Sequence, residues 1–253
     1  MERREAFAAE SLKGLKIRLQ WACVTLTCSN VEQFEVEITG TDCEKDIGCV
    51  SVKVENGVLS VAQPASFPAW FGVRTKMHVR IFIPTFWKGE IDAKTISGTV
   101  EAMGLRGTDI SLTTVSGALH AASIEAICLK CASVSGQLHT DDTACETLKL
   151  QTASGSIHAN ACDFRTASLH SVSGSCTLQA AGTFDDVMAA TVSGHITLEL
   201  PFAAADAVFR STSGRIRTVG IDLVEGAPRV RAHTVSGNFI IINNDSNQEN
   251  DHI

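Results

Sequence analysis

His120, His139 and His158 are spaced 19 residues apart. Three imidazoles at one interval suit two kinds of chemistry. If the interval is one turn of a stacked structure, they form a row with steps of about 4.8 Å. Neighbours that close can converge on a divalent cation or resist being protonated together. The outer two backbones would then lie about 9.6 Å apart, which strains a shared tetrahedral site. The column is therefore a weak metal candidate, and a solvent-facing ladder is the plainer expectation. No cofactor is expected.

Two other residue sets invite a chemical reading. Cys128-Leu-Lys-Cys131 has CxxC spacing, but a zinc ribbon needs a second such pair and none follows. A redox CxxC opens a helix, whereas this one sits in a strand pattern. The carboxylates Asp141, Asp142, Asp163, Asp185 and Asp186 raise the question of polysaccharide cleavage, which needs two carboxyl groups about 5–9 Å apart. They fall in separate variable segments, where a solvated turn face is the simpler expectation.

The elements that must hold these residues are set by a repeat. Eight Ser-Gly pairs occur: Ser97-Gly98, Ser116-Gly117, Ser135-Gly136, Ser154-Gly155, Ser173-Gly174, Ser193-Gly194, Ser213-Gly214 and Ser236-Gly237. Counting from each serine, hydroxyl residues stand two before it (Thr95, Thr114, Ser133, Thr152 and their equivalents). Apolar residues dominate the positions six, four and one before it and three after it. Leu129, Cys131, Val134 and Leu138 fill these places in one repeat. The alternation has period 2, which means strands. A repeat of 19 residues spans a contour near 60 Å, enough for one coil of a flattened parallel β-solenoid, or β-helix, of about eight 19–20-residue rungs. Successive coils stack in parallel ladders.

The parity of the apolar columns changes between four before and three after the serine, so a bend lies there. A bend that begins before Val115 and its equivalents would turn the valine column inward. The Ser-Gly step is then structural: glycine tolerates the crowded backbone and the hydroxyls stack as ladders. Eight identical serines with no repeating acid or base beside them do not form a catalytic site.

Residues 1–90 lack the pair but alternate in several places, and Asn56-Gly57 is a hairpin signal. This part reads as a β-rich cap or irregular rungs, residues 91–242 as the solenoid and 243–253 as a polar tail. An aromatic, basic stretch over 67–88 contains Trp70, Phe71, Phe86 and Trp87. These four are candidates for partner binding, against the simpler expectation that the rings plug the solenoid end.

The net charge is −7, which argues against a nucleic-acid partner. No apolar run is long enough for a transmembrane helix. Nine cysteines, an odd number, together with an N-terminus lacking an apolar segment, point to the cytoplasm or the cytoplasmic face of a membrane.

The repeated Thr-Val-Ser-Gly-x-Leu/Ile pattern, the strand Val79-Arg-Ile-Phe-Ile-Pro84 and the hairpin segment 56–61 resemble the bacterial "putative adhesin" domain of unknown function. The resemblance covers nearly the whole chain. It implies a β-solenoid found in envelope-associated proteins, some tied to cell-envelope stress, with no known enzymatic activity. The expected function is a non-enzymatic, adhesin-like interaction or scaffold module. Its partner would be a protein or an envelope component, and peripheral membrane association would fit. Two alternatives stand beside it. One is a carbohydrate-active β-helix enzyme. The other is a hydroxyl-ladder surface binder of the ice-binding kind, which requires the Thr114 and Ser116 columns both to face outward.

Overall fold

The computed structural model describes residues 2–40, 49–64 and 77–244. The architecture is all-β, with a β-solenoid-like repeat. Each Ser-Gly pair joins two strands that belong to different sheets. The strand before the pair lies in what is here termed the leading sheet, and the strand after it in the trailing sheet. Leading strands such as Arg106–Ser116, Glu125–Ser133 and Ala144–Ser154 pair in parallel with a constant register, Leu112 beside Cys131 and Cys131 beside Leu150. Trailing strands Leu119–Ala122 and Leu138–Asp141 do the same, Leu119 beside Leu138.

The core lies between the two sheets. Positions six and four before the serine face inward, as do those three and five after it. Leu129, Cys131, Leu138 and Thr140 are fully buried in one rung. Each large apolar side chain so buried contributes roughly 1.5–3 kcal/mol, which far outweighs any single polar contact at the surface.

The bend falls at the Ser-Gly pair itself, later than the alternation suggested. The hydroxyl column two before the serine therefore continues inward, and Thr114, Thr152 and Thr191 are buried. The valine column turns outward, correcting the expectation that it faces the core: Val134 is 51 % and Val172 is 55 % exposed. The reason is hydrogen bonding. Inside the bend the glycine carbonyl needs a donor, and in five rungs the hydroxyl two residues before the serine of a neighbouring rung supplies it. Thr114 Oγ1 donates to Gly98 O at 3.2 Å, Ser171 Oγ to Gly155 O at 3.3 Å and Thr191 Oγ1 to Gly174 O at 3.2 Å. A valine there would leave that carbonyl unpaired.

The glycines are required by close approach between rungs. A Cβ on Gly136 would lie 1.9 Å from Gly117 O, and one on Gly155 would lie 2.1 Å from Gly136 O. Backbone cannot move aside without separating the coils.

The second corner comes seven residues after the serine. Gly104, Ser123, Asp142 and Ala161 occupy it with φ of 66°, 53°, 50° and 48°. This left-handed step redirects the chain from the trailing to the next leading strand.

The stacking order departs from chain order at both ends. Arg229–Ser236 inserts between Asp186–Ser193 and Ala204–Ser213, and Phe239–Asn243 inserts between Ile196–Leu200 and Ile216–Val219. At the other end Gly14–Leu19 lies between Val58–Ala62 and Glu90–Ser97, and Ala22–Ser29 lies between Met77–Pro84 and Val100–Met103. The early and late strands thus gain neighbours on both sides, which protects them from fraying. Antiparallel strands Gln33–Thr39 and Glu2–Ala8 extend the trailing sheet, and Ser51–Glu55 the leading sheet.

Candidate functional site

The Ser-Gly corner presents a straight apolar row. Ile96, Val115, Val134, Val172, Val192 and Val235 all stand one before their serine and all are exposed. Ala153 continues the row and Thr212 ends it on the outermost rung. With about 4.8 Å per rung, the row from Ile96 to Val235 extends roughly 30 Å. The serines beside it, Ser97, Ser116, Ser135, Ser154, Ser173, Ser193, Ser213 and Ser236, are exposed as well. Because the threonines face in, the flat Thr-x-Ser array needed for a hydroxyl-ladder surface does not form; the outward pair is Val-Ser. This overturns the ice-binding-like alternative.

Next to the row, a shallow groove runs across the leading face. Gln151, His170, Ala190 and His233 line it together with Ala153, Val172 and Val192 of the row. The position three before the serine supplies Ala132, Gln151, His170, Ala190 and His233 to this groove.

The histidines come together on the trailing face. His139 and His158 stack with ring centroids 4.9 Å apart at 17°, and His120 meets His139 edge-on at 6.2 Å. The Nε2 of His120 is 2.8 Å from Asp141 Oδ2, and Asn160 Nδ2 donates to Asp141 Oδ1 at 2.8 Å. Burial and the neighbouring His158 hold the His139 imidazole below its ordinary pKa. Burial alone would raise the Asp141 carboxyl, but the bonds from Asn160 and His120 outweigh it and hold it low. Among the described residues no group of three His, Cys, Asp or Glu side chains is arranged to hold a metal ion. The column has the form of a stacked, acid-tethered ladder.

Of the remaining acidic candidates, Asp142 accepts from Ser123, Asp185 pairs with Arg165 at 2.6 Å, and Asp186 pairs with Arg231 at 2.5 Å. Glu146, Asp163 and Asp185 line an open depression of about 290 Å³ beside Phe164 and Phe184. Here the cation Arg165 is tied to Asp185, so the arrangement is an ion-paired turn surface.

Trp70 and Phe71 lie outside the described residues. Trp87 is buried and is not a surface group: its Nε1 donates to Leu12 O at 2.8 Å and its ring meets Phe34 edge-on at 5.0 Å. That ring is part of the buried core, which corrects its assignment to partner binding. Phe86 is exposed. Among the described cysteines, Cys131, Cys162 and Cys176 are buried. Cys128 and Cys131 are three apart in one strand, so they point to opposite faces and do not form a clip.

No curated protein sequence matches the chain. Among solved structures, a putative adhesin from Parabacteroides merdae superimposes with a TM-score of 0.64 at 14 % identity, covering 96 % of this chain and 95 % of that one. A putative adhesin from Bacteroides fragilis gives 0.60 at 16 % identity, covering 96 % and 97 %. A putative lipid binding protein from Parabacteroides distasonis gives 0.50 at 15 % identity, covering 94 % and 96 %. At such identities the likeness shows the shared fold. The family match is broader evidence, since it runs over residues 12–241. The chain belongs to the Toastrack DUF4097 family.

Proposed function

We propose that this chain is a non-enzymatic interaction module that holds an envelope component against the Ser-Gly corner, at the cytoplasmic face of the membrane and in the context of envelope stress. The observation that carries this reading is the outward apolar row from Ile96 to Val235. Isolated exposed apolar residues are ordinary; a contiguous line of β-branched ones marks a contact surface. The Ser-Gly rungs are the body that keeps the line straight. A rigid solenoid suits this task, because each rung is fixed by its neighbours and the surface needs no ordering on binding. The relatives described as a putative adhesin and a putative lipid binding protein are in keeping with a binding role.

The test is retention by isolated bacterial envelopes in a sedimentation assay. The wild-type chain should pellet with envelopes, and Val134→Asp/Val172→Asp should stay in the supernatant while melting as the wild type does. Equal pelleting of both proteins, or none by either, would defeat the reading. Protease treatment of the envelopes beforehand tells whether the retained partner is a protein.

A further inference from the structure

The chain carries 28 carboxylates in 253 residues, about one in nine. The corner departs from this. Across all eight rungs, the segment from five before the serine to three after it contains Asp92 and no other Asp or Glu. Asp92 is itself paired with Arg18.

Cations stand where the carboxylates are missing. The outward positions five and three before the serine hold Lys94, Lys130 and Lys149, all exposed. The inserted strand Gly14–Leu19 adds Lys16 beside Asp92 and Arg18 beside Lys94. Two residues beyond that strand, half-buried Trp21 occupies the serine position of its rung, at the end of the apolar row. Apart from Asp92, the acidic groups of the leading strands that run into a Ser-Gly pair, among them Glu90, Asp109, Glu125, Glu146, Asp186 and Asp206, stand seven or more before the serine. That places them about 20 Å or more from the row along the strand. Glu37, Glu101, Asp141 and Glu199 are on the trailing strands. A molecule of net charge −7 therefore offers one straight strip that is apolar and flanked by a net positive charge, Asp92 offsetting one of its cations.

We propose that the occupant of this strip is an anionic lipid bilayer, met edge-on, with the Val/Ile row in the headgroup region and the flanking lysines on lipid phosphates. This rests on the interaction-module reading above and names its partner. A soluble polyanion would account for the lysines and leave the apolar row in water. A neutral apolar partner would account for the row and leave the lysines without a counter-charge. A bilayer surface supplies both along a line of roughly 30 Å, and an aromatic ring at the end of the row suits the interface. Edge-on approach keeps the acidic positions of the leading face away from the lipid charge. Attraction of each lysine falls off within a Debye length, so contact depends on this orientation.

The test uses the full chain and sedimentation with vesicles, one set of phosphatidylcholine and one of phosphatidylcholine mixed with phosphatidylglycerol. The chain should pellet with the anionic vesicles at low salt and not with the neutral ones. Lys130→Glu/Lys149→Glu should weaken binding at least about tenfold. Val134→Ser/Val172→Ser should weaken it by a similar factor, and Glu101→Gln on the trailing face should leave it unchanged. All changed side chains are exposed, and unaltered melting temperatures verify the fold. Binding that survives both double substitutions overturns the proposal, as does equal binding to neutral vesicles. If the wild type ignores anionic vesicles yet is retained by envelopes in a protease-sensitive way, the lipid assignment falls and the interaction module stands. If neither vesicles nor envelopes retain it, both fall.

Discussion

Thr152 Oγ1 donates to the carbonyl oxygen of Gly136 one rung away, at 3.4 Å. The equivalent hydroxyl of Ser133 is buried without a partner. These two members of one column should respond differently to removal of the hydroxyl. Thr152→Val keeps the volume and strands the glycine carbonyl, so it should cost about 1–3 kcal/mol. Ser133→Ala removes an unsatisfied group and should be near neutral. Urea unfolding of the two variants makes the comparison. Equal losses would show that the hydroxyl column is packing alone.

The glycine column gives a sharper contrast. Gly136→Ala places a methyl group where Gly117 O stands, and the rungs must part to admit it. A loss of about 3 kcal/mol or more is expected. Ser135→Ala, its exposed neighbour, should change stability by less than about 0.5 kcal/mol. Melting temperatures of the pair suffice, and a mild Gly136→Ala would mean that the coils are not in this contact.

Much of this was legible from the sequence, because the repeat forces every rung to tell the same story. The inward places of Leu129, Cys131 and Leu138 follow from period 2 and are buried as the alternation requires. The valine column was misplaced for a physical reason. An apolar residue is usually sent inward and a hydroxyl outward, but here the corner glycine carbonyl claims the hydroxyl. The left-handed corner at Gly104, Ser123, Asp142 and Ala161 left almost no signal, since four different residue types occupy it. The inserted strands at both ends were also hidden. Spacing records order along the chain, whereas pairing of Arg229–Ser236 with Asp186–Ser193 is a matter of which edge is free. At the candidate site, the stacking of His139 on His158 follows from the 19-residue interval. The tether from His120 to Asp141 joins position four of one rung to position six of the next, and needed the register.

Thiol reactivity should follow burial. Cys23 is exposed and should react first with a thiol reagent. Burial pushes the Cys176 thiol up to about 12, and raises that of the fully buried Cys131 as well, so both lack thiolate and access. They should be labelled only after unfolding, as read by mass spectrometry of quenched samples. Fast labelling of Cys131 in the native state would contradict its inward place.

Acidification should weaken the fold between about pH 7 and 5. Burial and His158 lower the folded pKa of His139, and burial and Arg80 lower that of His78. Above the unfolded value of about 6.5 both states are neutral and the full stability is present. As the pH falls, the unfolded chain takes up protons that the folded chain resists, and stability is lost down through the folded pKa values. Asp141 acts in the same direction at lower pH: its folded pKa is depressed, so its contribution holds above about pH 4 and is lost below. His139→Gln should flatten the decline between pH 7 and 5, measured as unfolding free energy against pH. An unchanged slope in that variant would remove His139 from the account.

Which face the partner covers can be read by hydroxyl-radical footprinting of the chain bound to envelopes. The account predicts lowered oxidation at Ile96, Val134, Val172 and Val192, with His120, His139 and His158 as reactive as in the free chain. Protection of the histidines with an unprotected apolar row would contradict it.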